Sequence, residues 1–287
     1  MRVVTFHVQT LDAHPNVRWS HAEYLRLLDW MLRSVLRFHP EARLAVLTDA
    51  QTDLSPLSVA FERIDHPVDH RRIMLSRAEA QQRFLQTHFD DDVLFLDSDM
   101  LLNGPLTELF EDGQGAADCD VALTVRDDAD MPVNGGFLLL RHRRADVARR
   151  FFDRYLRLFR EVYVGEAAWY GDQRALRDAI GWNGSGASSQ IEARIRLLPC
   201  ERYNHTPGDR IRKVLRPQGD KRVLHFKGDR KRLMALFWYT WLAGLPKPVG
   251  IVVWCFDEAR QRLRRALKPR MDAPPASRPA RSESTIR

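Results

Sequence analysis

With 287 residues the chain is long enough to bury a substantial core, and one large α/β domain followed by a tail fits that length best. The formal charge of +7 is mostly local: residues 257–287 hold nine Lys or Arg against four Asp or Glu, so the body is nearly neutral, the charge run reads as a solvated or disordered end, and no nucleic-acid partner is expected. Cys119, Cys200 and Cys255 show no C-x-x-C spacing, which argues against a disulfide framework or a thiolate zinc site and fits a reducing cytoplasm.

The apolar run at residues 3–8 follows a single arginine, leaving no room for the charged and apolar regions of a secretion signal, and reads as a first buried strand. Ser20 and Glu23 form a capping box ahead of Tyr24, Leu27, Leu28, Met31, Leu32 and Val35, the face of an amphipathic helix. Residues 44–47 are the next strand. Ser76 and Glu79 repeat the capping spacing and predict a second helix ending near His88. With the strand at residues 93–96 this completes a β-α-β-α-β half, the pattern of a parallel sheet whose carboxyl edge faces a ligand.

Beyond it, residues 121–125 and 137–140 read as strands, and Val147, Phe151, Phe152, Tyr155, Leu158, Phe159 and Val162 mark the core face of a long helix. Residues 168–180 carry another helix that Gly181 can end, before a Gly/Ser-rich loop at 183–189. Short strands are expected at 196–198 and 223–226, and a helix at 229–242. The apolar stretch 236–256 is split by Pro246 and Pro248 into pieces shorter than the roughly 20 residues that span a bilayer. Its aromatics at 237–241 and Trp254, followed by the basic run 260–268, fit either a membrane-interface surface or a helix packed on the sheet. Residues 269–287 are expected to be disordered.

Five features carry chemistry. The strand at 93–96 runs straight into Asp97-Ser98-Asp99, and an Asp-x-Asp pair can hold a divalent cation through hard oxygen ligands, although a turn capping a strand has the same sequence. Asn134-Gly135-Gly136 reads as a tight turn whose glycines permit close backbone approach to a ligand. Asp172-Gln173, after Trp169-Tyr170-Gly171, offers a carboxylate and an amide for hydroxyl groups. In His225-Phe226-Lys227-Gly228-Asp229-Arg230-Lys231 an imidazole ends a strand where it can complete a metal shell, and the turn amides and lysine can hold a diphosphate. Arg77 is a cation that can face a phosphate or a base, or simply a helix surface.

Taken in order, Asp97-x-Asp99, Asn134-Gly135-Gly136, Asp172-Gln173 and His225-x-x-Gly228-x-x-Lys231 resemble the retaining GT-A glycosyltransferases of family eight, the group that includes glycogenin and the bacterial lipopolysaccharide galactosyl- and glucosyltransferases. The resemblance covers residues 1–240 and implies the GT-A nucleotide-diphospho-sugar transferase fold: α/β, with a mostly parallel mixed sheet flanked by helices and a Rossmann-like N-terminal half. Residues 241–268 are then an aromatic and basic helical extension, and 269–287 the tail. It implies a nucleotide-sugar donor, usually a UDP-sugar, with Asp97, Asp99 and His225 around manganese or magnesium and Lys231, with the Gly228 turn, on the diphosphate. Asn134 and Asp172, with Gly135 and Gly136, would hold the donor sugar, Arg77 would contact the donor, and Gln173 would lie beside the anomeric carbon. Asp130 is a further candidate contact. The acceptor would be a glycan, lipid-linked glycan or protein hydroxyl, with a peripheral contact at the inner membrane face through the C-terminal region.

The family continues Lys-Pro-Trp where this chain has Lys231-Arg232-Leu233. Three other readings compete. A haloacid-dehalogenase-like phosphatase also ends a strand in Asp-x-Asp, but lacks here the small residue that Leu101 replaces. A sugar nucleotidyltransferase needs a Gly-rich loop after the first strand, and residues 7–13 contain no glycine. A nucleic-acid- or membrane-binding module would rely on the basic tail alone.

Overall fold

The computed structural model describes residues 1–9, 19–110, 119–168, 170–188 and 190–267, with side chains as far as residue 263 in the last helix. The expected tail at 269–287, residues 10–13 of the stretch without glycine, Trp169, and Ser189 at the end of the Gly/Ser loop lie outside the described residues.

The N-terminal half alternates strands and helices: β1 (Arg2–Phe6), α1 (His21–Phe38), β2 (Arg43–Thr48), β3 (Glu62–Asp65), α2 (Ile73–Thr87) and β4 (Val93–Leu96). Then come β5 (Met100–Leu102), β6 (Val121–Val125), β7 (Val133–Leu140), α3 (Ala145–Glu161), α4 (Gly171–Ala179), β8 (Ile195–Pro199), α5 (Cys200–Tyr203), α6 (Ile211–Val214), β9 (Val223–His225), α7 (Lys231–Phe237) and α8 (Lys247–Leu267). Seven strands form one sheet in the order β3-β2-β1-β4-β7-β6-β8. Only β7 runs against the others, pairing antiparallel with both β4 and β6. The sheet is therefore mostly parallel, and its N-terminal half is doubly wound as the alternation predicts.

Helices cover both faces. Leu28, Met31, Leu32 and Val35 of α1 pack with Leu236 and Phe237 of α7 over one side of the sheet. Phe84 of α2, Phe152 and Phe159 of α3 and Leu176 of α4 pack over the other. Val3 and Leu94 face the first core while Val4 and Phe95 face the second, which is why these strands read as continuous apolar runs rather than alternating ones.

Ser20 caps α1 as predicted: its hydroxyl takes the Glu23 N–H and the Glu23 carboxylate takes the Ser20 N–H at 2.7 Å. Ser76 does not cap α2. That helix begins one turn earlier, and Ser76 lies buried inside it, its hydroxyl accepting from the Asp69 N–H at 2.9 Å. The expected turn at Asn134-Gly135-Gly136 is instead part of β7, where the pairing with β6 slips so that Leu123 faces Leu138 while Thr124 faces Asn134. This bulge takes the two glycines out of the pairing with β6.

The expected split of the apolar stretch 236–256 holds. After α7 the backbone widens into a π-helical turn at Trp238–Leu242, and α8 starts afresh with Pro248 in its first turn. A side chain at position 250 would collide with the Tyr239 carbonyl, so a glycine there lets α8 lie directly on that turn. Asp257 of α8 is buried in a salt bridge with Arg26 of α1. Among the described residues no helix is long and apolar enough to cross a membrane.

Candidate active site

β4 ends at the centre of the sheet, and the residues just past it form the floor of the site. The Asp97 N–H donates to the Gly136 carbonyl at 3.1 Å, continuing the β4–β7 ladder and laying the glycines of β7 against the aspartate. A Cβ at position 136 would stand 2.7 Å from Asp97 Oδ2 and 3.0 Å from the His225 ring, so a side chain there would displace the aspartate or the imidazole.

His225 is brought in by β5, a strand that residue patterns alone did not reveal. Immediately after Asp99, β5 pairs antiparallel with β9, with Met100 opposite His225, and the Phe226 N–H donates to the Asp99 carbonyl at 2.9 Å. The Ser34 hydroxyl of α1 accepts from the Leu102 N–H at 3.0 Å and ties this ribbon to the body. Residues more than 120 positions apart thereby become neighbours: Asp97, Asp99 and His225 each place a ligand atom within 4.8 Å of the others.

The donor set fits a divalent cation. Two carboxylate oxygens and one imidazole nitrogen suit manganese or magnesium, and ligands about 2.1 Å from an ion sit at most about 4.2 Å apart, a closure of a fraction of an ångström. His225 Nε2 stands 3.0 Å from Asp99 Oδ1 and 3.7 Å from Asp97 Oδ2. Each aspartate keeps its other oxygen for a protein cation: Asp97 Oδ1 accepts from Arg77 at 2.7 Å, and Asp99 Oδ2 pairs with Lys231 Nζ at 2.5 Å. Burial would raise the Asp99 carboxyl, but Lys231 and His225 outweigh it and hold the group well below the usual carboxylate range. Burial likewise works against the Lys231 charge, and Asp99 more than restores it.

Arg77 joins two carboxylates rather than lying on a plain helix surface. Its second terminal nitrogen donates to Asp172 Oδ2 at 2.5 Å, so one guanidinium joins Asp97 to Asp172. The fork of arginine suits two carboxylates at once. Asp172, in the first turn of α4 and 2% exposed, is packed against Gly135. Burial, with Asp97 assisting and Arg77 opposing, raises its carboxyl above the ordinary range, and its Oδ1 has no hydrogen-bond partner. A buried acceptor of that kind can take a hydrogen bond from water or from a ligand hydroxyl. Gln173 is half-buried beside it; Tyr170, just before the helix, holds a left-handed φ of 68°. Gly228 opens the turn into α7 that carries Lys231. Asp130 stands exposed in the loop before β7, outside the cluster.

Two buried residues that no motif marked support the cluster from behind. His225 Nδ1 lies 2.8 Å from Asn204 Oδ1, and Asn204 Nδ2 donates to the Thr124 hydroxyl at 2.8 Å. At the ends of β1 and β2, the His7 ring is buried and stacked on His21 with centroids 5.4 Å apart. Burial and then His21 push its pKa down to about 3, against a smaller opposing pull from Asp49.

No protein-family model and no curated protein matches the sequence. Solved structures do. The glycosyltransferase GlyE of Streptococcus pneumoniae TIGR4 superposes with a TM-score of 0.53 at 16% identity, over 90% of this chain and 63% of its own, so the chain spans less than two thirds of that protein. The galactosyltransferase LgtC, in complex with donor and acceptor sugar analogs, superposes with a TM-score of 0.51 at 16% identity, over 91% of this chain and all of its own. The bifunctional WbbM gives 0.51 at 15% identity, over 87% of this chain and 50% of its own. This is the GT-A fold. Within the GT-A fold the acidic cluster sits where the β4 edge opens, and nothing in the arrangement favours the phosphatase reading, since one oxygen of Asp97 is already held by Arg77.

Proposed function

We propose that this chain is a metal-dependent glycosyltransferase that moves a sugar from a nucleotide donor, a UDP-sugar, to a hydroxyl acceptor with retention of anomeric configuration. The observation that carries the reading is the meeting of Asp97, Asp99 and His225, two of them against Gly136, with Arg77 and Asp172 against the neighbouring Gly135. A manganese or magnesium ion held there would neutralise charge on a diphosphate. Lys231 has a short reach to the same phosphates from its place beside Asp99. The free Oδ1 of Asp172 accepts a donor-sugar hydroxyl, with Asn134, Gly135 and Gly136 forming the adjacent wall. Gln173 has too little basicity to serve as a strong nucleophile and orients the reacting face.

Resemblance to the family-eight enzymes supports retention and a UDP donor, and the structural likeness to LgtC, solved with donor and acceptor sugar analogs, agrees with sugar transfer. The decisive test incubates the purified protein with a panel of nucleotide sugars, with manganese, magnesium or chelator, and measures released nucleotide. One donor is hydrolysed slowly in the presence of metal, and Asp99→Asn lowers that release at least about a hundredfold in protein that stays folded, with a lower melting temperature because Lys231 loses its buried partner. Release that chelator does not affect would overturn the metal assignment.

The acceptor is membrane-borne in this reading. α8 turns Val249, Val252, Phe256 and Leu263 outward in one stripe, with Phe256 74% exposed. Arg260 and Arg262 are exposed on the same helix, and its buried acid, Asp257, faces inward onto Arg26. Apolar side chains rimmed by arginine complement an anionic bilayer surface.

A further inference from the structure

We propose that Asn204 is a positioning residue of the metal centre: its carboxamide fixes the His225 ring and keeps the ring proton on Nδ1, so that the lone pair of Nε2 faces Asp97 and Asp99. The inference rests on the metal-dependent reading only for the identity of the ion. Its argument is one of hydrogen-bond polarity, and it starts from a group that has no choice.

The Asn134 carbonyl in β7 can only accept. The Thr124 hydroxyl of β6 lies 3.0 Å from it and owns a single hydrogen, which goes to that carbonyl. The neighbouring Cys200 thiol also approaches the hydroxyl, but a backbone carbonyl is the stronger acceptor. With its hydrogen committed, the Thr124 oxygen can only accept from Asn204 at 2.8 Å, so the amide nitrogen of Asn204 must point there. Its Oδ1 is thereby turned to His225 Nδ1 at 2.8 Å, and Nδ1 must carry the proton. The remaining ring nitrogen, Nε2, is then the one that faces an Asp99 oxygen, at 3.0 Å, where either a proton or a metal ion bridges the pair. Two acceptors facing one another are relieved by a cation between them.

All four members of the chain are enclosed: Thr124 is 0%, Asn204 2%, Asn134 4% and His225 4% exposed, so water does not supply alternative partners cheaply. The backbone sets the geometry as well. The His205 N–H donates to the Val223 carbonyl and the His225 N–H to the His205 carbonyl, which clamps the segment after α5 beside β9 and holds Asn204 opposite the ring. The relay ends on Asn134, so the metal ligand and the glycine bulge that shapes the donor wall are joined by three hydrogen bonds.

The proton position is read by nitrogen NMR of the imidazole in metal-free wild-type protein, with the His225 signal assigned from its loss in His225→Asn. Manganese affinity is measured without any nucleotide by titration calorimetry or electron paramagnetic resonance. The expected result is a proton on Nδ1, and manganese binding weakened about 10- to 100-fold in Asn204→Leu, which cannot accept from the ring. Asn204→Asp still accepts from Nδ1 and keeps the proton position and most of the affinity, an outcome that a purely structural role for the side chain does not give. A wild-type Nδ1 that carries no proton overturns the proposal, and so does wild-type manganese affinity in folded Asn204→Leu. A wild-type protein that binds no manganese would instead sink the metal-dependent reading, while the NMR result still decides the role of Asn204.

Discussion

His7 shows what a single enclosed ring costs the molecule in acid. Its ordinary pKa is near 6.5, and burial beside His21 lowers it to about 3 in the folded chain. Between those values the unfolded chain takes up a proton that the folded chain refuses, so the contribution of His7 is full above pH 6.5 and is lost as pH falls towards 3. At pH 4 the loss amounts to about 3 kcal/mol. His7→Gln should therefore flatten the fall in melting temperature between pH 6.5 and 4; an unchanged slope would show that the ring does not titrate in this way. Asp99 does not blur the result, because its depressed carboxyl keeps its contribution until the pH falls below the ordinary carboxylate range. At this scale the sequence was readable where chemistry is written into short motifs: Asp97, Asp99, His225, Asp172 and Gly136 all sit at the cluster. Asn204 and Thr124 were not, because an isolated asparagine after a short helix and a threonine in a strand carry no spacing signal. Arg77 was noticed, but the bridge it makes was not legible, since its two carboxylate partners lie 20 and 95 residues away.

Helices and strands were legible in proportion to how local their signals are. The box at Ser20 and Glu23 lies directly before an apolar face and caps α1, while the same spacing at Ser76 lies inside α2, whose first turn already carries Ile73 and Leu75. A capping pattern thus needs a helix to begin there. Ser20→Ala should cost about 1 kcal/mol, read as a shift in the denaturant midpoint at constant slope, because it removes the hydroxyl from a cap whose backbone donors then face water. Ser76→Ala should instead release the partly buried Asp69 N–H, and the two losses are distinguishable because only the first alters fraying at the start of α1. β5 escaped notice because three residues after an acidic turn have no periodicity of their own. They are a strand only because β9 lies alongside, which is a tertiary fact.

For the molecule as a whole, alternation of apolar strands and amphipathic helices was sufficient to give a doubly wound sheet with helices on both faces. The reversal of β7 was not, because direction leaves no mark on composition. The outward stripe of α8 also belongs to this scale, since it becomes a surface only once Asp257 and Gln261 have been turned towards α1. Ile211, also exposed, lies in the short helix that precedes Leu215, whose carbonyl accepts from Lys247 at 2.7 Å. Wild-type protein should co-sediment with vesicles containing anionic lipid and be released by salt, whereas Val252→Ser with Phe256→Ser should bind at least about tenfold less while hydrolysing the donor normally. Equal sedimentation of the two proteins, or a wild-type dimer that the double variant abolishes, would assign the stripe to another contact.

The pairing of β5 with β9 fastens the two ends of a very long excursion, from Leu102 out to Val223, with only three residues on each side. Such a clasp is short for the freedom it restrains, and an ion held by Asp99 on one side and His225 on the other would act as a rivet through it. The excursion can change in length at its loops without disturbing the grip, provided both edges of the clasp stay in step and Gly136 and Asn204 keep their places beside His225.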